Sequence, residues 1–305
     1  MSANLLAAAG IIRTHAPKHK RTKAVSSADA DHISTYRLSP DKISTVAKEF
    51  HEHRMIEHPN CHYQVSYKMV EAFISYISGG GYYRQAARSE GISKPTMILY
   101  SRKVASYFSS TAAQHIKLPS TQEVSEMTGR YVEGKKVIGL VDGFLMKIQR
   151  PDHARDEFYS ARPGKYYDSM NIQYVCDLNG KIIHVLTGVS GRAHDKNAIE
   201  WSPRLRTWLD NLPPNHYILG DSAYLGYHEK CLTLFRNPNH LQQLFNNEAA
   251  RIRTKVENVI GAQECIWRIL MTKENRVPAK SGLAFPSDVC LSVAVLHNRF
   301  SNYVF

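Results

Sequence analysis

No stretch of the 305-residue chain is apolar for long enough to cross a bilayer. The best candidate, residues 5–12, falls well short of the about 20 residues a spanning helix needs, and its positive charges follow it where a secretory leader would place them before. A soluble, intracellular protein with no membrane partner is the expectation. CxxC pairs are missing too. The five cysteines, Cys61, Cys176, Cys231, Cys265 and Cys290, are scattered and leave one odd, which suits core thiols in a reducing compartment better than a disulfide scaffold. There is no GxSxG nucleophile elbow and no HExxH helix. GRYVEGKK at 129–136 lacks the Ser or Thr that must follow the lysine of a phosphate-binding loop, and it precedes a strand instead of joining strand to helix. His51, His53, His58, Cys61 and His62 crowd together, but with one thiol and no paired spacing they do not spell a zinc site.

Positive charge, by contrast, is abundant. Lys and Arg outnumber Asp and Glu by 39 to 27, and the formal charge of +12 favours a polyanionic partner, either nucleic acid or an acidic membrane face. The run KHKRTK at 18–23 reads as a nuclear localisation signal, a phosphate-contacting arm or a solvated tail. Residues 24–35 are small and polar without period, so residues 1–35 are expected to form a disordered basic tail.

Helical patterning then fills a region spanning 36–118. Ser39-Pro40-Asp41 supplies an N-cap and an N1 proline, followed at helical spacing by Ile43, Val46, Ala47 and Phe50. Val65, Met69, Val70, Phe73 and Ile77 make a second stripe, closed by three glycines. Tyr83 to Ala87 forms a short helix, Gly91-Ile92-Ser93 turns the chain, and Ser93 caps a further helix through Thr96, Leu99, Lys103 and Val104. That is a helix-turn-helix arrangement, whose second helix would offer Lys94, Thr96, Tyr100, Arg102 and Lys103 to DNA. A purely structural bundle has turns of the same kind; the charge balance favours DNA.

The period changes over 119–305, which reads as a second, α/β domain. Residues 137–141 are a continuous apolar run that ends on Asp142-Gly143, placing an acid at a strand end. After a basic excursion at 150–167, residues 170–176 and 182–189 flank Asp177-Leu178-Asn179-Gly180, whose Asn-Gly signals a hairpin. A helix is expected over 195–209, a fourth strand over 217–220 delivering Asp221, and a last helix over 247–270 with Ile252, Val256, Val259 and Ile260 buried and Glu257 beside them. Taken singly, each acid reads as a solvated side chain or a cap, and Asp195 in particular as an N-cap. Together, strand, hairpin, helix, strand and helix with acids at Asp142, Asp195, Asp221 and Glu257 follow the order by which an RNase H-like fold, a mixed sheet flanked by helices, gathers carboxylates. Two divalent ions about 4 Å apart need such hard oxygen ligands if one is to activate the attacking oxygen of a phosphodiester cleavage and the other to stabilise the leaving oxygen.

These residues carry a resemblance. The segments GLVDGFLMKIQRP, YYDSMNIQYVCDLNGKIIHVLTGVSGRAHD, YILGDSAYLG, FNNEAARIRTKVENVIG and AVLHNRF, in this order between about 137 and 300, resemble the nuclease domain of PIF/Harbinger transposases and the nucleases derived from them. The resemblance implies that Asp142, Asp221 and Glu257 are catalytic DDE acids and that Asp195 is a fourth metal ligand, with Mg²⁺ or Mn²⁺, two ions, as cofactor. The interval of 36 positions from Asp221 to Glu257 suits the family. Arg253 stands one helical turn before Glu257, where it could pair with that carboxylate, orient it or contact DNA phosphate; Asn246 is also family-like. Gln263-Glu264-Cys265 departs from the family, which usually carries a Leu-Lys pair there. The implied activity is cleavage at an element's end followed by attack of the freed 3′-hydroxyl on target DNA. Also implied are a nuclear location, with the cytoplasm open in the absence of a partner, and a Myb-like DNA-binding partner protein; a homo-oligomer is compatible with it. The competing expectation is a domesticated, catalytically silent DNA-binding or scaffold protein of the same descent.

Overall fold

In the computed structural model, which describes residues 27–150, 157–162, 164–273, 275 and 282–301, the stretch expected to lack structure contains a helix, α1 (Ser27–Tyr36); the basic run at 18–23 lies outside the described residues. No apolar stripe announces α1. It is held at its end, where the Tyr36 hydroxyl donates to Glu90 at 2.9 Å and the Ser78 hydroxyl donates to the Thr35 carbonyl at 2.9 Å, tertiary contacts that override a weak local preference. The Glu90 side chain is only 1 % exposed and pairs with Lys68 Nζ at 2.7 Å. Lys68→Met is therefore expected to cost about 3 kcal/mol by stranding a buried carboxylate, and Tyr36→Phe only about 1 kcal/mol. Urea unfolding of the two variants checks that ranking.

α2 (Pro40–Glu57) buries the four residues that its spacing singles out, although the Ser39 side chain makes no capping bond. α3 (Tyr63–Ser78) buries Met69, Val70, Phe73 and Ile77. Val65 leaves the expected stripe and is 40 % exposed, because the inward place in that first turn is taken by Ser66, which accepts a hydrogen bond from Arg54 Nη1 at 2.9 Å. α4 (Tyr83–Ser89), a turn with Gly91 at φ +65°, and α5 (Lys94–His115), capped by the Ser93 side chain, reproduce the helix–turn–helix order. α6 (Thr121–Glu126) follows, opened by a Ser120–Glu123 capping box.

The sheet is mixed. β1 (Arg130–Val132), β2 (Lys135–Lys147), β3 (Tyr159–Arg162), β4 (Lys165–Asp177), β5 (Ile182–Ser190), β6 (His216–Gly220) and β7 (Cys231–Thr233) build it. The spatial order is β5–β4–β2–β6–β7, antiparallel from β5 to β2 and parallel from β2 to β7, with β1 and β3 as short additions to β2 and β4. The 129–136 segment forms the β1–β2 hairpin. Alternation along the strands then sends side chains to two cores. On one face Leu140, Phe144, Met146 and Tyr174 join the helices of the first half together with α9 (His240–Ile266) and α10 (Ala284–Phe300). On the other, Ile138, Val141, Val175 and Ile218 pack under α7 (Asp195–Ile199) and α8 (Pro203–Asp210). This is the RNase H-like arrangement expected, preceded by a helical region.

Three local expectations are corrected. β2 does not stop at Asp142-Gly143 but runs on to Lys147, because β4 pairs with it without interruption from Gly139 to Lys147; Asp142 is a mid-strand residue. The single helix expected over 195–209 is two, since Ser202 caps a new helix at Pro203, whose ring cannot continue the old one. Asp195 is the first residue of α7 and not its cap, which is His194. In addition, α9 starts at His240, seven positions earlier than expected, behind a capping box of Asn239 and Gln242.

α10 shows why AVLHNRF is specific. His297 Nε2 reaches the Gly180 carbonyl at 2.9 Å, Asn298 bonds both backbone groups of Ile182 and the His115 carbonyl, and Arg299 grips Glu49 of α2 through both terminal nitrogens. Three consecutive side chains thus tie hairpin, sheet and first-half helices together.

Candidate active site

Asp142 is in phase with Leu140 and Phe144 and faces α9. There Arg253 Nη1 donates to Asp142 Oδ2 at 3.3 Å, while Nη2 of the same guanidinium pairs with Glu257 Oε1 one turn further along the helix. The other Asp142 oxygen accepts the Gly143 N–H at 2.9 Å. Asp221 directly follows β6, the parallel neighbour of β2, and its Oδ1 accepts the Ala223 N–H at 2.8 Å, capping the 3-10 turn Ser222–Tyr224.

Asp195 arrives from the opposite direction, over Gly143. A Cβ built on Gly143 would lie 3.0 Å from Asp195 Oδ1 and 3.3 Å from the Tyr224 hydroxyl, so the missing side chain is what lets them approach β2. Asn171 Nδ2 donates to Asp195 Oδ1 at 3.0 Å and to the Ala193 carbonyl at 3.0 Å, and Gln173 Nε2 donates to the Asp195 carbonyl at 2.7 Å. Both amides are buried on β4, and both were missed from sequence. Their signal was there: Asn171 and Gln173 alternate on one face of MNIQYVC, an otherwise apolar strand, and buried polar groups at period two need a reason. Tyr224 was also missed. It is 1 % exposed, and its hydroxyl has no hydrogen-bond partner among the described residues. Burial and then the charges of Asp195, Asp142 and Asp221 push that hydroxyl well above the usual tyrosine range, which locates it among three of the acids.

Burial raises the Asp142 carboxyl to about 6; Asp221 and Glu257 push the same way, against Arg253 and the Gly143 N–H. The unfolded carboxyl loses its proton near pH 3.9, so the folded metal-free protein binds the proton more tightly, and stability falls as pH rises from about 4 to about 6. Two units correspond to about 3 kcal/mol. Asp142→Asn is expected to remove that decline and to leave metal-free protein more stable than the natural sequence at pH 7; chemical denaturation from pH 4 to 7.5 in a chelator checks it.

Among the described residues, no group of three or more His, Cys, Asp or Glu side chains stands in a metal-holding arrangement. The Arg253 guanidinium bridges Asp142 and Glu257, Asp221 adds its charge to that of Glu257 on Asp142, and Asp195 stands across Gly143 beside the Tyr224 hydroxyl. The donor set nevertheless fits a hard divalent cation: carboxylate oxygens, an Asp142 carboxyl raised by burial and then by Asp221 and Glu257, and a buried hydroxyl without a partner among the described residues.

The remaining sequence-derived residues lie elsewhere. On α5, Arg102 and Lys103 are exposed, whereas Lys94, Thr96 and Tyr100 are half-buried. Thr96 is engaged with the Ser93 cap, and Tyr100 packs against the core. Arg150 pairs with Asp168 at 3.0 Å; residues 151–156 of the basic excursion lie outside the described residues. Asn246 clamps both backbone groups of Phe235 at 2.9 Å, a structural task. Gln263 is buried and accepts from the Tyr174 hydroxyl at 2.9 Å.

Residues 141–298 match the family model of the DDE superfamily endonucleases, a span running from the residue before Asp142 to the Asn298 clamp, and the chain belongs to that family. No curated protein sequence and no solved structure matches it.

Proposed function

We propose that this endonuclease-family chain is a divalent-metal-dependent DNA nuclease and strand transferase of the PIF/Harbinger transposase type. What supports the reading is the Arg253 bridge between Asp142 of β2 and Glu257 of α9, with Asp221 directly after β6, the parallel neighbour of β2, and Asp195 close over Gly143. These four carboxylates would hold the metal. Mg²⁺ or Mn²⁺, when bound as a pair, would supply activation of the attacking oxygen and stabilisation of the leaving oxygen. The chain's own residues prepare the site. Asn171 and Gln173 fix Asp195 through its side chain and its backbone, so that its carboxylate needs no reordering when a cation arrives. Arg253 keeps Asp142 and Glu257 from repelling each other and, released by a cation, is placed to meet phosphate.

DNA would be held by the basic first-half helices, and a Myb-like partner supplying end recognition and nuclear entry belongs to the same reading. No helix among the described residues is long and apolar enough to cross a membrane. One observation favours a catalytically silent, domesticated protein instead: where the resemblance leads one to expect a basic residue, α9 carries Glu264, whose ionised carboxylate cannot donate to a DNA phosphate. The test is cleavage of labelled duplex and nicked DNA by full-length protein with Mg²⁺ or Mn²⁺, with and without the partner. Metal-dependent cutting supports the nuclease; DNA binding without cutting under every condition favours the silent protein.

A further inference from the structure

Away from the carboxylates, the C-terminal half of α2 and the middle of α5 enclose a cleft of about 440 Å³. Its charge is one-sided. Arg54 and His53 enter from α2, Arg102 and Lys103 from α5, and Ser106 and Ser110 add hydroxyls along one edge. Glu57 is the acid in that lining, against three permanent cations. The walls are built. The His53 ring packs edge-on against Tyr107 at 5.2 Å, and the Arg54 guanidinium lies over Phe50 at 5.8 Å with Nη1 donating to Ser66 Oγ at 2.9 Å. Arg54 Nε is left buried without a hydrogen-bond partner, an unmet donor in a guanidinium that lines the cleft.

We infer that this cleft is a phosphate site and that its occupant is the backbone of a DNA duplex crossing α2 and α5. Two guanidiniums, an ammonium and two hydroxyls converging on one hollow are the donors that phosphate oxygens accept from, and the guanidinium fork suits them best. The position on α5 favours a backbone over a small anion. Lys94 opens that helix and Lys103 stands nine residues later, about 14 Å further along at helical rise. When the start of a helix points into a groove, its middle is carried out to the flanking phosphates. Of the five α5 residues offered to DNA, Arg102 and Lys103 therefore join Arg54 as backbone anchors, which bind every sequence alike. The inference concerns binding without metal and does not depend on cleavage at the carboxylates.

The experiment is fluorescence anisotropy of full-length protein with three unrelated labelled duplexes, in a chelator, from 50 to 300 mM salt, beside calorimetric titration with inorganic phosphate. Arg102→Met with Lys103→Met is expected to weaken binding to all three duplexes by at least about tenfold and to lower the slope of log affinity against log salt by about 2, since each lost phosphate contact removes roughly 0.9. Glu57→Gln, which removes the lining's acid, is expected to tighten binding about threefold at low salt; a gain cannot come from misfolding. Unchanged affinity and slope in the double variant would overturn the site. So would a loss confined to one duplex, which would return both residues to base reading. Inorganic phosphate bound by the natural protein and lost in the double variant, with duplex affinity unchanged, would overturn the DNA assignment in favour of a small anion.

Discussion

Asp221→Ala and Glu257→Ala are each expected to lower metal-dependent DNA cleavage by at least about 1000-fold, the equivalent of about 4 kcal/mol of transition-state stabilisation. Duplex affinity in a chelator should stay within about threefold of the natural protein. Neither change removes much of the fold. The Asp221 side chain caps a three-residue turn through the Ala223 N–H, worth about 1 kcal/mol. The Glu257 side chain is 47 % exposed and its partner is the single guanidinium of Arg253, an interaction between partly solvated groups that contributes about 0.5 kcal/mol. A loss of cleavage can then be assigned to the missing carboxylate. Single-turnover cleavage with Mn²⁺, with circular dichroism on the same samples, is the measurement. Residual activity above about a tenth in either variant would remove that acid from the ligand set, and activity equal to that of the natural protein in both would remove the nuclease site proposed at β2, β6 and α9.

How much of this site was legible follows from what each residue needed. Asp221 and Glu257 were readable because their surroundings are local: an apolar pentapeptide ending on an acid, and an apolar helical stripe with an acid beside it. Asp142 was identified, but its setting was misjudged. Asp-Gly looks like the end of a strand when only the strand's own residues are visible, and the pairing with β4 that carries β2 on to Lys147 is non-local. The roles of Gly143, Asn171, Gln173 and Tyr224 depend on a chain segment more than twenty positions away crossing β2, and single-chain periodicity does not encode that crossing. The same limit explains α1, which is held by Glu90 and Ser78 and not by its own pattern, and α10, whose His297, Asn298 and Arg299 find their partners far away in the chain. The helix-turn-helix, by contrast, is local throughout, with a positive-φ glycine and a serine cap four chain links or fewer from what they organise. Its order was read correctly; of the five side chains offered to DNA, Arg102 and Lys103 are exposed, while Lys94, Thr96 and Tyr100 are half-buried.

Gly191→Ala is expected to be among the most damaging single-methyl additions in the chain, destabilising it by about 3 kcal/mol and lowering its melting temperature by about 10 °C. Gly191 lies in the turn between β5 and α7, and its N–H donates to the Ser169 carbonyl at 2.8 Å. A Cβ there would lie 2.5 Å from that same carbonyl oxygen and 2.8 Å from its carbon. The Ser169 hydroxyl stands closer still and could rotate, but the carbonyl is backbone and cannot. Ser169 cannot retreat either, because it is paired with Lys147 of β2. The turn must move instead, and four residues later it carries Asp195, whose carboxylate depends on reaching Asn171 at 3.0 Å. The same substitution should therefore also weaken binding of the divalent cation proposed for the four carboxylates, read by calorimetry, by about tenfold or more, the usual cost of disturbing a ligand's supporting bonds. Gly261→Ala supplies the opposite sign. Gly261 is inside α9, with nothing within 4 Å of an added Cβ, so alanine there is expected to raise stability by about 0.5–1 kcal/mol through the lower helical cost of alanine. If Gly191→Ala melted with the natural protein while Gly261→Ala rose, the close passage of the β5–α7 turn over β4 would be wrong, and with it the route by which Asp195 reaches the other acids.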